Sequence, residues 1–325
     1  MIACGDDKNI DRLPYPDLMD FPVYFDAMNV PEDNPYSYER WEIGKALFFD
    51  PILSRDSSIS CADCHKQELA FSDNLAVTPG VDGLQGTRNA PTLANVGFHP
   101  YYLTEGGLPT LEMQVLVPIQ EHAEFDFNIV LIAERLRNSS YYNDWIEDVF
   151  DRKPDSYAIT RSIATFERSL ISAQSPYDQF MQGDEEVLSE SARAGMDLFF
   201  SDALSCSSCH GGPNFTTYAF ENNGLYEVYD DPGRFRVTSD TADIARFKVP
   251  TLRNIEITAP YMHNGSLQSL DQVLEHYNTG GYSHMHKSEL IRPLGLSPKD
   301  LNQLKDFLFS LTDRNFHDNP LFKSY

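Results

Sequence analysis

Apolar residues recur at helical spacing through most of the chain, and alternation of the kind that marks a strand is scarce. A helical pattern begins near Tyr38, with Trp41, Gly44, Leu47 and Phe48 on one face. Three more segments are predicted at about 126–138, 141–151 and 156–174, the third burying Ile163, Phe166 and Leu170. Ser269-Leu270-Asp271-Gln272 has the form of a capping box and opens a helix running through about Tyr277. Ser297-Pro298 supplies an N-cap and a first-turn proline for a last helix, whose stripe is Leu301, Leu304, Leu308 and Leu311. Residues 1–36, rich in Pro and Asp, lack periodicity and read as an extended arm, and the polar stretch 174–190 reads as a linker. The fold class is mainly α.

One apolar pattern occurs twice. Gly44-Lys-Ala-Leu-Phe-Phe49 and Gly195-Met-Asp-Leu-Phe-Phe200 each end a helix shortly before a Cys-x-x-Cys-His sequence. The repetition predicts two related modules, each a helix packed on a prosthetic group. A length of 325 residues accommodates two domains. We place the boundaries at 1–36 for the arm, 37–180 for the first module and 181–325 for the second. The longest apolar runs, such as Ile129-Val130-Leu131-Ile132, fall far short of the roughly 18 residues of a membrane span. A net charge of −24 argues against nucleic acid, whose phosphates need clustered Lys and Arg, and favours cationic partners.

Four of the five cysteines lie in Cys61-Ala-Asp-Cys64-His65 and Cys206-Ser-Ser-Cys209-His210. This is the attachment signature of c-type haem: two thiols form thioethers to the vinyl groups, and the adjacent histidine is the proximal iron ligand. A zinc site built from the same residues is the competing reading. Two covalently bound haems require assembly outside the cytoplasm, which implies the periplasm. Cys4 is left over. Ile2-Ala3-Cys4 resembles the end of a lipoprotein signal and marks Cys4 as a candidate lipid anchor, against the plainer reading of a stray cysteine.

With the haem motifs stand Arg88-Asn89-Ala90-Pro91-Thr92, Leu111-Glu112-Met113-Gln114, Lys248-Val249-Pro250-Thr251-Leu252-Arg253-Asn254 and Pro260-Tyr261-Met262-His263-Asn264-Gly265. In this order, over residues 38–315, they resemble the bacterial dihaem cytochrome c peroxidases and the methylamine-utilisation enzyme MauG. The resemblance implies two packed cytochrome c-like haem domains with few strands. The His65 haem would meet hydrogen peroxide, with Glu112 as acid/base carboxylate, and the His210 haem would transfer electrons. Its sixth ligand would be Tyr277, as in MauG, with Met262 as the rival. No histidine occurs in residues 66–98, where many dihaem peroxidases carry a blocking distal ligand, and His99 lies outside that position. This implies an open first haem. Thr104 stands where the family usually has an interhaem tryptophan, leaving Tyr101 or Tyr102 to carry charge between haems. A calcium ion between the haems would be held by Asn89 and the carbonyls of Thr258 and Pro260.

Three functions follow. The first is a peroxidase drawing electrons from a cytochrome c or a cupredoxin. The second is a MauG-like enzyme oxidising Tyr or Trp of a partner protein. The third is a non-enzymatic electron carrier. The peroxidases are commonly homodimers, although no interface is readable in this sequence.

Overall fold

A computed structural model describes residues 18–324. Cys4 and residues 1–17 of the arm lie outside them. The first half carries α1 (Tyr38–Phe49), α2 (Cys61–Cys64), α3 (Leu111–Gln114), α4 (Leu116–Gln120), α5 (Ile129–Arg137), α6 (Ser140–Phe150) and α7 (Ser156–Arg168). Then come α8 (Pro176–Met181), α9 (Glu190–Phe199), α10 (Cys206–Cys209), α11 (Phe235–Thr238), α12 (Leu270–Thr279), α13 (Pro298–Phe309) and α14 (Arg314–Asp318). Two short antiparallel strands, β1 (Phe220–Glu221) and β2 (Phe247–Lys248), form the one sheet among the described residues. The fold is mainly helical, as the apolar spacing predicts.

The glycines of the repeated pattern have a physical cause. A Cβ on Gly44 would run into the carbonyl of Ser162, and one on Gly195 into that of Gln303. Each glycine lets two helices touch backbone to backbone, α1 on α7 and α9 on α13. Downstream the two halves keep step. Asn95 and Asn254, both at positive φ, donate their backbone N–H to Leu170 and Leu311. Their side-chain carbonyls accept from the N–H of Ser172 and Asp313.

The helix expected over 156–174 stops at Arg168. The backbone beyond it is claimed by other partners: Ser172 N–H donates to Asn95, and the Ala173 and Gln174 N–H groups donate to Asp313. The stretch expected to be a polar linker contains α8, capped by Ser175 and Asp178. It is anchored by an ion pair between Asp178 and Arg253, both fully buried. Tyr177 packs on Phe215 and Phe307 of the second half. In the reverse direction, Phe316 and Phe322 join the core of Trp41, Phe48, Phe71 and Phe166 in the first half. Ser297 and Asp300 complete a capping box at α13. At α12 the box is half formed: Ser269 accepts from Gln272 N–H, while the Gln272 side chain takes the N–H of Gln268.

The arm is pinned to both halves. Phe21 and Phe25 pack on Phe98, Arg253 lies 4.9 Å from the centre of the Phe25 ring, and the Tyr24 hydroxyl donates to Asp178.

Candidate functional site

In each Cys-x-x-Cys-His sequence a single helical turn, α2 or α10, presents both thiols and ends at the histidine. Two steps follow from the residues after it. Phe71 and Phe215 adopt positive φ, which turns their carbonyls back toward the histidine. His65 Nδ1 then lies 2.8 Å from the Phe71 carbonyl, and His210 Nδ1 lies 3.1 Å from that of Phe215. A carbonyl only accepts, so Nδ1 carries the proton and Nε2 keeps the lone pair that a metal would use. Burial holds both imidazoles below their ordinary pKa, in the neutral form an iron ligand needs.

The four thiols are unbridged. Burial pushes Cys61 well above the ordinary thiol range, Cys64 up to about 12 and Cys206 up to about 11. Cys61 and Cys206 each pack against an apolar core, which suits a large hydrophobic prosthetic group. No cluster of three or more His, Cys, Asp or Glu side chains suited to a zinc ion occurs among the described residues. The residues present therefore fit haem c at both positions.

Glu112 sits in the first turn of α3, 5% exposed. Thr110 caps that turn by accepting from Met113 N–H, and fully buried Leu111 fixes its rotation. Arg168, from the last turn of α7, grips the carboxylate with both nitrogens: Nη1 to Oε1 at 2.6 Å and Nη2 to Oε2 at 3.0 Å. Asn34 of the arm donates Nδ2 to Oε1 at 2.7 Å. Burial alone would raise the Glu112 pKa, but the Arg168 and Asn34 hydrogen bonds outweigh it and hold the group below the ordinary carboxylate range. Beside it, Glu167 is 6% exposed, and its Oε2 is without a hydrogen-bond partner. Burial, reinforced by the Glu112 charge and opposed by Arg168, pushes Glu167 up to about 8. The Arg168 and Asn34 contacts and burial thus push the two neighbouring carboxyls in opposite directions.

Asn34, Arg168 and Glu167 escape a sequence reading of the site. The available signal is a charged pair, Glu167-Arg168, inside a buried face that otherwise reads Ile163, Phe166, Leu170.

On the second side, Met262 and Tyr277 converge on one amide. Asn223 Nδ2 lies 3.2 Å from the Met262 sulfur and 3.5 Å from the Tyr277 hydroxyl. The neighbouring His276 is turned away, with Nε2 on the Asn223 carbonyl at 3.0 Å. Burial raises the Tyr277 phenol, which lies within electrostatic reach of Cys209 and Cys206. Asn223 is a further residue that spacing does not reveal.

Between the halves, Asn89 is tied to the turn after Pro260: its N–H donates to the His263 carbonyl at 2.9 Å. Its Nδ2 donates to Leu75, which leaves Oδ1 as the atom it would offer a cation. Thr258 and Pro260 flank the start of that same turn. Of the two tyrosines near Thr104, Tyr102 is buried and Tyr101 is exposed. The His99 ring lies 6.3 Å from that of Tyr102 and 5.0 Å from that of Tyr218. Lys248 Nζ is 3.2 Å from His99 Nδ1 and donates to the Tyr101 carbonyl. Burial pushes this lysine down to about 8.

Comparison with known proteins places these features in context. Residues 38–186 match the family model described as di-haem cytochrome c peroxidase. The chain is 35% identical to the methylamine utilization protein MauG of Methylorubrum extorquens, over 86% of this chain and 80% of that one. It is 31% identical to the cytochrome c551 peroxidase of Pseudomonas aeruginosa, over the same shares. Among solved structures it is similar to a MauG-like protein associated with microbial copper homeostasis. That match has a TM-score of 0.89 and 33% identity, and covers 94% of this chain and 98% of the other.

Proposed function

The chain belongs to the family of the dihaem cytochrome c peroxidases and MauG, and from that premise we propose that it is a periplasmic peroxidase reducing hydrogen peroxide with electrons from a small redox protein. The observation that carries the reading is the Glu112 pocket: a buried carboxylate held ionised by Arg168 and Asn34. Cys61, Cys64 and His65 would hold one haem, and Cys206, Cys209, His210 and Tyr277 the other, the modules being about 37–180 and 181–325. The haems supply the electron chemistry of the reaction. Glu112 supplies the proton chemistry. It takes a proton from one peroxide oxygen and returns it to the other as the O–O bond breaks. Two electrons from the donor and two protons from solvent complete the reduction to two waters. A cytochrome c or a cupredoxin with a basic face suits a chain of net charge −24. Asn89 Oδ1 with the Thr258 and Pro260 carbonyls would offer hard oxygen donors to calcium between the modules. No described helix is long and apolar enough to cross a membrane.

A second reading, oxidation of Tyr or Trp in a partner protein, draws support from Tyr277 beside Asn223, because a phenolate ligand favours the oxidised iron this chemistry needs. Turnover with peroxide and reduced cytochrome c separates the two. Rapid donor oxidation at low micromolar concentration supports the peroxidase, and negligible oxidation supports a protein substrate. In either case Glu112→Gln should retain both haems and lose reactivity with peroxide by about a hundredfold, the usual scale of acid–base catalysis. An unchanged rate would remove Glu112 from the mechanism.

A further inference from the structure

The arm, which has no periodicity and no haem motif, delivers one side chain into the deepest part of the Glu112 pocket. Asn34 is 1% exposed. Its Nδ2 donates to Glu112 Oε1 at 2.7 Å and to the Arg161 carbonyl at 3.1 Å. Its Oδ1 accepts from Arg40 Nη1 at 3.3 Å, and the Thr165 hydroxyl, which donates to the Arg161 carbonyl at 2.8 Å, lies 3.3 Å from it. Both donors of the asparagine amide are thus used. The amide orientation is fixed as well, because a flip would set oxygen against the carboxylate and against a carbonyl.

The consequence falls on Glu112. A carboxylate oxygen accepts about two hydrogen bonds. Oε1 has both, from Asn34 and Arg168, whereas Oε2 has one, from Arg168. We propose that Asn34 is a positioning residue of the active site: by filling Oε1 it leaves Oε2 as the atom that exchanges the proton, and it makes the arm a working part of the peroxide site. The inference rests on the reading of Glu112 given above. It supplies a role for a segment that the haem motifs leave idle.

The test uses the full-length, haem-loaded protein with Asn34→Asp and Asn34→Ala, each alone and combined with Glu112→Gln. Asn34→Asp is nearly isosteric and replaces a donor with a second carboxyl facing Oε1. Asn34→Ala removes the contact without adding charge. Both should keep two haems per chain by pyridine haemochrome. The acid limb of the peroxide rate should move up by about one pH unit in Asn34→Asp, because a like charge disfavours ionisation of Glu112. The rate should fall about tenfold in Asn34→Ala. Neither substitution should lower the rate further once Glu112 is Gln. Thermal melting of the ferric protein gives a readout independent of turnover. A carboxyl depressed in the folded state stabilises above its unfolded pKa and loses that stabilisation as pH falls. The contribution of Glu112 should therefore be smaller, and its acid-side loss complete at higher pH, in Asn34→Asp, and this difference should vanish with Glu112→Gln. A rate loss with an unmoved acid limb, losses that add to those of Glu112→Gln, or unshifted acid melting would each overturn the proposal. A wild-type protein inert to peroxide would instead overturn the functional reading, and the melting comparison would still decide the role of Asn34.

Discussion

The two halves of the molecule are built on one plan and furnished differently. Each packs a glycine-bearing helix against a later helix, and each sets a histidine on the carbonyl of a phenylalanine at positive φ. Each then runs through a one-bridge turn, Tyr102 to Leu108 and Tyr261 to Leu267, into a capped helix. Glu112 and Asp271 occupy the same step after the cap. Glu112 is 5% exposed and gripped by Arg168, whereas the Asp271 side chain is 71% exposed and meets Lys305 at the surface. The later helices explain the difference. Counting from the Ser162 and Gln303 contacts, Glu167-Arg168 falls where the second half has Leu308-Phe309. One half buries a carboxylate because its neighbour helix ends in an arginine. The other ends in hydrocarbon and continues its capped helix to Tyr277. Ala94 and Arg253 differ in the opposite sense: the first half is apolar at this step, and the second buries an ion pair with Asp178.

These contrasts can be broken one at a time. Arg253→Ala copies the first half into the second and leaves Asp178 charged and fully buried. It should cost about 3–5 kcal/mol in denaturant unfolding, and a loss below 1 kcal/mol would mean that water or the arm replaces the guanidinium. Glu167→Gln works through pH. Burial raises Glu167 in the folded state to about 8 from an ordinary 4.5. The stability this group permits is complete below the unfolded pKa and declines as pH rises toward the folded one. Gln removes that decline, so the variant should match wild type near pH 4 and exceed it at pH 8 by an amount on the order of 4 kcal/mol. Parallel stability curves would place Glu167 in contact with water. Tyr277→Phe is the gentlest change. It should leave stability within about 1 kcal/mol and alter the optical spectrum and potential of the second haem alone. If Met262→Leu does so instead, the ligand is the methionine.

What a sequence reading can reach follows from the range of the interactions. The haem motifs, the Gly44 and Gly195 repeat and the Ser297-Pro298 start are local patterns, and the structure carries each where the chain carries it. The end of α7 is not local: residues 172–174 look helical until Asn95 and Asp313 claim their backbone N–H groups. Helix α8 hides inside a polar stretch because its anchor, Arg253, lies 75 residues away. Asn34 and Arg168 meet Glu112 from separations of 78 and 56 residues. Glu112 itself stands out by resemblance to a family, whereas a lone glutamate in a short helix carries no mark of its surroundings.

The return of residues 314–322 to the first half bears on the order of assembly. Phe316 and Phe322 complete the aromatic core around Phe71, and the Gln67 side chain donates to the carbonyl of Asn319, 252 residues away. The core of the half that is synthesised first is therefore complete only with residues from the end of the chain. Until residues 314–322 are in place, the wall against which Cys61 packs lacks its final layer.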